Sequence, residues 1–174
     1  MSPSYSRELL KTITSHAIGG ALEAAIEYLR DKYGEGRFEI SIFHNREEPD
    51  ILFYRDSVGN KEPSSADGRR KEPQYYRAHK YEAVELLDNP SDRILIYPSL
   101  TTLTATYSFA TEEQKKRIRS TVLHSFTFRE PHVLVLVADR KSVFQKDDST
   151  LIEFVGCLGH ALHYDLWLYL QRPI

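Results

Sequence analysis

The chain has 174 residues, 41% of them hydrophobic, and its 23 Lys and Arg against 25 Asp and Glu give a formal net charge of -2. This length predicts one domain, spanning residues 1–174, that can bury a hydrophobic core, and the balanced charge argues against nucleic-acid binding. Cys157 is the only cysteine, which excludes an intramolecular disulfide and a Cys-rich zinc site and favours a reducing, cytoplasmic location.

The N-terminal segment predicts a long amphipathic helix over 4–33, because its apolar residues recur at three- and four-residue steps until Gly34. Charged residues are spaced along the same segment, so we expect neither a signal peptide nor a membrane span there. Small residues in the middle of the helix predict close packing against a neighbouring backbone. They are Ala17, Gly19, Gly20, Ala21, Ala24 and Ala25.

The middle of the chain, over 37–146, predicts a sheet with an inserted loop and helix. Alternating segments at 37–44 and 50–58 indicate a hairpin, and the polar stretch 60–74 indicates a surface loop. Further patterns predict a helix at 75–87, a short strand at 93–100, a β-prone segment at 101–109, a short helix from Thr111, a strand at 118–128 and a strand at 132–138. The last of these is an uninterrupted apolar run, which is typical of a strand in the middle of a sheet.

A final helix is predicted over 147–172, with an apolar stripe and more apolar residues than one intramolecular contact needs. We therefore expect a symmetric dimer through the terminal helices. The residues assigned to this interface are Leu158, Leu162, Leu166, Trp167 and Tyr169.

Residues 115–162 resemble the end of the GAF domain, a sensory domain related to PAS. The resemblance depends on the pair Arg119 and Ser120, the strand HVLVLVAD and the turn from Phe144 to Asp148. It implies an α+β fold with a mostly antiparallel sheet of five or six strands, terminal helices on one face and a ligand cavity on the other. The chain departs from the pattern in lacking a proline near His124 or Ser125, and 59–110 is only loosely similar.

Several aromatic residues of this chain fall where the resemblance to the GAF domain places a ligand cavity. The chain has 11 Tyr and 8 Phe, and tyrosine combines an apolar ring with a polar tip that suits a flat or cyclic small molecule. The ligand-binding residues assigned on this basis are Tyr75, Tyr76, Tyr97, Ser99, Thr101, Tyr107, Arg119, His124 and Phe126. Each of them has an alternative interpretation as an ordinary core or surface residue.

Other patterns are weaker guides to chemistry. Cys157, His160 and His163 lie at three-residue steps, but core or interface packing explains them better than a metal or a thiol nucleophile. The basic clusters 69–71 and 115–117 are diluted by acidic neighbours, which favours a solvated surface over a nucleic-acid site. No nucleotide-binding motif is complete, and no cofactor is assigned.

Together with these patterns, the resemblance to the GAF domain implies a regulatory domain that senses a small molecule and signals through a terminal-helix dimer. The alternative is a ligand-free GAF-like module that dimerises or binds a partner protein. We do not expect an enzyme, because no set of residues indicates catalysis. The GAF-type enzymes that reduce free methionine sulfoxide use several cysteines, whereas this chain has Cys157 alone.

Overall fold

The computed structural model describes residues 3–61, 81–100 and 112–170. Their elements are α1 (Pro3–Tyr33), β1 (Phe38–His44), β2 (Asp50–Asp56), α2 (Glu82–Asp88), β3 (Ile94–Tyr97), α3 (Glu112–Arg117), β4 (Ser120–Phe128), β5 (Glu130–Ala138) and α4 (Ser149–Leu170). None of the helices in these ranges has the length and apolar character needed to cross a membrane.

The five strands form one antiparallel sheet in the order β2-β1-β5-β4-β3. The apolar strand β5 lies in the middle, between β1 and β4, as its uninterrupted run of hydrophobic residues predicts. Both faces of the sheet are covered by helices, which explains why β5 has no solvent-facing side.

The two terminal helices pack together on one face of the sheet, and this prediction is confirmed. They run antiparallel, because the Tyr28 ring stacks on Phe154 at 4.2 Å near one end while the Lys11 ammonium lies 5.2 Å from the Tyr169 ring centre near the other. Asp148 joins the end of α1 to the start of α4 by accepting hydrogen bonds from Lys32, the Tyr33 hydroxyl and the Leu151 amide.

The opposite face of the sheet is covered by α2. The four buried residues of this short helix pack against side chains from β1, β4 and β5. They are Ala83, Val84, Leu86 and Leu87. The sequence predicted a helix at 75–87, of which 75–80 lies outside the described residues, as do most of the predicted loop 60–74 and the segment 101–109.

The small residues of α1 were predicted to pack closely against a neighbouring backbone. This prediction is wrong for Gly19 and Gly20. Ala25 is buried and Ala21 half-buried, but Gly20 and Ala24 are exposed. A Cβ atom added at Gly19 or Gly20 would meet nothing within 4 Å. These residues lie on different sides of the helix, so only part of the set faces the core.

The interface assignment for α4 needs correction at its three leucines. Leu158, Leu162 and Leu166 are 8%, 1% and 0% exposed and belong to the core between the terminal helices and the sheet. Trp167 packs under the Arg129 guanidinium at 4.6 Å, and Tyr169 packs edge-on against Phe53 at 5.0 Å. The three leucines are therefore used within the chain, whereas an interface role for the half-buried Trp167 and Tyr169 stays a prediction.

Candidate functional site

A row of polar residues crosses the sheet on the face that α2 covers. In the strand register Asp56 pairs with Glu39, Glu39 with Val137, Val137 with Thr121, and Thr121 with Tyr97. Paired residues of antiparallel strands point to the same side, so Asp56, Glu39, Thr121 and Tyr97 form one row, which we call the polar row. The buried hydrophobic cluster beneath α2 lies on this same face.

Glu39 lies next to Asp56 in the polar row and is only 5% exposed. Its carboxylate lies 3.2 Å from the Nε of Arg37 and accepts a hydrogen bond from the Nη1 of Arg117, at the end of α3. Burial raises the pKa of the Glu39 carboxyl, and the two guanidinium groups oppose this rise. The site thus places an ionisable carboxyl group between two cations inside the protein.

Asp56 organises the chain around Glu39. Its carboxylate accepts hydrogen bonds from the amides of Val58 and Asn60, at 3.1 and 2.9 Å, which fix the turn after β2. It also accepts one from the Nη2 of Arg37 at 3.1 Å, so that guanidinium is held between the two carboxylates. Asp56 therefore has a structural role as well as a place in the polar row.

Tyr54 extends the same cluster along β2. Its hydroxyl lies 3.3 Å from the Oδ2 of Asp56. Burial is the main cause that raises the pKa of Tyr54, and the charges of Glu39 and Asp56 add to it. Tyr54 therefore remains a neutral hydrogen-bond donor at physiological pH.

The other end of the polar row contains Tyr97 and Thr121. The Tyr97 hydroxyl donates to Glu82 of α2 at 2.9 Å, which links the helix to the sheet edge. Thr121 is fully buried and donates to the Leu136 carbonyl at 2.7 Å. Arg119 lies beside them. Its backbone amide donates to the Ala138 carbonyl, and its carbonyl accepts a hydrogen bond from the Leu100 amide.

The structure brings together only part of the predicted ligand-binding set. Tyr97, Ser99 and Arg119 lie at or beside one end of the polar row, and their role in binding stays a prediction. The other predicted aromatic and hydroxyl residues, apart from His124 and Phe126, lie outside the described ranges. They are Tyr75, Tyr76, Thr101 and Tyr107.

His124 and Phe126 need a correction of place, because they lie on the opposite face of the sheet from Tyr97. Tyr97 pairs with Thr121, and alternate residues of β4 point to opposite faces. His124 and Phe126 therefore point toward α4, where a Cβ added at Gly159 would lie 2.7 Å from the His124 ring. Burial lowers the pKa of His124, which fits a neutral side chain in the helix-packed core.

Sequence reasoning missed the charged core of the site. Glu39 alternates with Phe38 and Ile40 in a pattern that indicates only a hairpin strand, and Arg117 belongs to a basic cluster that favoured a solvated surface. The available signal was the length of the apolar run in β5: a central strand covered on both faces requires its neighbour β1 to be covered as well. Glu39 then has to be buried with partners.

Metal ligation has no support in the ranges 3–61, 81–100 and 112–170, where no group of three or more His, Cys, Asp or Glu is placed to hold an ion. Cys157 and His160 are exposed on α4, and the rings of His160 and His163 lie 4.8 Å apart. They lie on the terminal-helix side of the sheet, away from the polar row.

Comparison with known proteins gives similarity in structure but not in sequence. No protein-family model matches the sequence, and neither does any curated protein. The GAF domain/HD domain protein of Geobacter sulfurreducens is similar with a TM-score of 0.58 and 12% identity, over 93% of this chain and 99% of that one. The type II free methionine-R-sulfoxide reductase of Thermoplasma acidophilum has a TM-score of 0.56 and 13% identity, over 89% and 96%.

A third similar structure is the GAF3 domain of Slr1393 from Synechocystis, solved in its photoproduct state. Its TM-score is 0.52 at 12% identity, over 87% of this chain and 93% of that domain. At these identities the likeness is one of fold. With its antiparallel sheet, its paired terminal helices and these neighbours, the chain has a GAF-like fold.

Proposed function

We propose that this chain is a regulatory domain that binds a small molecule beside the polar row and transmits binding to the terminal helices. The observation that carries the proposal is the burial of Glu39 between Arg37 and Arg117, on the sheet face opposite those helices. A buried ion pair is weak as a source of stability, because apolar residues of similar volume often serve as well. Buried carboxyl groups with perturbed pKa values are, however, frequent at binding sites.

The ligand class follows from the groups available. Arg117 presents a guanidinium from α3 that is partly exposed, with 23% of its side chain accessible, and Tyr97 lies farther along the row. Among the described residues, the Nη2 of Arg117 has no hydrogen-bond partner although it is buried. These groups suit a polar small molecule that accepts hydrogen bonds, next to the apolar surface beneath α2.

Transmission to the terminal helices has a short physical route. Glu39 and Ile40 are successive residues of β1, and Ile40 packs in the core formed with α1 and α4. Signalling requires that the terminal helices exchange between two packings. A ligand shifts that equilibrium only if it binds the protein more tightly in one packing than in the other. Two of the three similar structures are GAF domains, and one of them has a photoproduct state, which supports a sensory role.

The proposed dimer uses the outer side of the helix pair. Leu9 and Ile13 of α1 are 48% and 57% exposed, and Tyr164 of α4 is 53% exposed. All three lie toward the end where α1 begins and α4 finishes. Such a surface also supports the alternative, a GAF-like module that binds a partner protein without a ligand.

Because one similar structure is a methionine sulfoxide reductase, the fold by itself does not indicate whether a protein is a sensor or an enzyme. We propose a non-enzymatic role, because Cys157 is the only cysteine and lies exposed on α4, on the other side of the sheet from the polar row. A disulfide-based reduction cycle needs a second thiol.

Native mass spectrometry tests this proposal. The protein is incubated with a small-molecule extract of its source cells, and wild type is compared with Arg117→Gln and with the control Arg30→Gln, an exposed position of α1. We expect an added mass on wild type and R30Q that falls at least tenfold in occupancy on R117Q. Equal occupancy on R117Q and wild type, or no added mass on any of them, would contradict the proposal.

A further inference from the structure

A groove lies on the terminal-helix side of the sheet, between the middle of α1, the edge strand β2 and the end of α4. Its volume is about 520 Å³, within the range of small-molecule sites. The lining residues that matter here are Gly19, Glu23, Phe53, Arg55, Lys61 and Tyr169. Tyr54 also lines the groove, but Phe53 and Arg55 alternate with it along β2, so their side chains point to the face of the sheet opposite the polar row.

On the side of the groove that α1 forms, two consecutive glycines of the helix leave space that side chains would otherwise fill. Glycine lowers helix stability relative to alanine, so Gly19 and Gly20 in the middle of a 31-residue helix weaken it unless something requires the missing side chains. No contact in the described part of the chain requires a glycine at either position, since an added Cβ would meet no atom within 4 Å. The absent side chains instead widen the groove.

The floor of the groove is apolar and aromatic. The rings of Phe53 and Tyr169 meet edge-on with centres 5.0 Å apart, and Leu22 and Leu52 complete the surface. Both aromatic residues are only half-buried. A flat apolar ring is the group that such a floor accommodates best.

The rim of the groove carries an excess of positive charge. Arg55 donates to Glu23 at 2.6 Å across the groove, and Lys61 is exposed at its edge. Among the described residues that line the groove, two cations thus stand against one carboxylate. Glu23 is 54% exposed at its side chain and can release Arg55 to an anion at little cost.

We propose that this groove binds a small organic anion that carries a flat apolar ring. The ring lies on Phe53 and Tyr169, and the anionic group is held by Arg55 and Lys61. The size of the groove, its aromatic floor, its cationic rim and the open positions of the two glycines all fit this one class of ligand.

The test uses 8-anilinonaphthalene-1-sulfonate, an anionic aromatic dye, in a fluorescence titration of the intact protein. Gly19→Leu fills the groove and favours the helix, so the variant folds. Gly156→Leu is the matched control, because a Cβ at Gly156 on α4 also meets nothing within 4 Å but lies outside the groove. We expect saturable binding to wild type and G156L and at least a tenfold weaker affinity for G19L.

A second comparison separates the charge from the apolar surface. Arg55→Gln should weaken binding of the sulfonate dye on the order of tenfold, while binding of the uncharged N-phenyl-1-naphthylamine stays the same. Melting temperatures of all variants, matched to wild type, exclude unfolding as the cause. Absence of saturable binding to wild type, equal affinities of G19L and wild type, equal losses in G19L and G156L, or equal effects of R55Q on both dyes would each overturn the proposal.

Discussion

Glu39 and its two arginines show how a single strand residue defines the candidate site. The desolvation cost of a buried carboxylate is several kcal/mol, and ion pairs with Arg37 and Arg117 offset only part of it here, because the pKa of Glu39 is still raised. Alternation along β1 identifies the two faces of the strand from sequence alone. It does not reveal that both are buried, because that depends on α2 and α3, which are far from β1 in the chain.

The ionisation of Glu39 predicts a specific pH dependence. Its pKa is raised in the folded protein, so the folded state holds the proton more tightly than the unfolded state and loses stability as pH rises above the usual glutamate pKa of about 4.3. Glu39→Gln removes this loss. Urea unfolding from about pH 4 to pH 7 should therefore show the stability of E39Q rising relative to wild type as pH increases, and a constant difference across this range would contradict the assignment.

At the scale of elements, most of the fold could be predicted because hydrophobic periodicity is local. The spacing of apolar residues predicts the long terminal helices, the hairpin of β1 and β2 and the central position of β5. The face on which each β4 residue lies could not be predicted, because a strand covered on both sides has no polar face to mark it. His124 and Phe126 were misplaced for this reason.

The packing of α4 on β4 predicts opposite effects for two glycines three residues apart. A Cβ at Gly159 would meet the buried His124 ring at 2.7 Å, so Gly159→Ala should lower the free energy of unfolding by about 1–3 kcal/mol. Gly156→Ala adds a Cβ in open space and should raise it by up to about 1 kcal/mol through helix propensity. Chemical denaturation measures both, and a stable G159A would contradict the packing described here.

At the scale of the whole molecule, the terminal helices have an inner side that holds the core and an outer side that exposes Leu9, Ile13 and Tyr164. Composition alone suggested that α4 has too many apolar residues for one contact, but the structure uses Leu158, Leu162 and Leu166 inside the chain. The sequence could not separate these two uses, because the number of apolar residues does not say which elements meet.

The proposed dimer gives a test that distinguishes the two sides. Ile13→Glu places a charge on the outer side of α1 and should shift the protein from dimer to monomer in sedimentation equilibrium, with little change in stability. Leu162→Ala should leave the dimer intact and cost about 2–5 kcal/mol of unfolding free energy. A wild-type monomer, or a dimer unchanged by I13E, would rule out this surface.

We propose that a molecule bound beside Glu39 and Arg117 on one face of the sheet alters the packing of the terminal helices on the other. Hydrogen exchange measured by mass spectrometry, with and without the small-molecule extract, tests it most directly. We predict slower exchange in peptides from β1 and α2 and, in the same sample, altered exchange in α1 and α4. Unchanged exchange in β1 and α2, or a change there that leaves exchange in both terminal helices unaltered, would contradict this coupling.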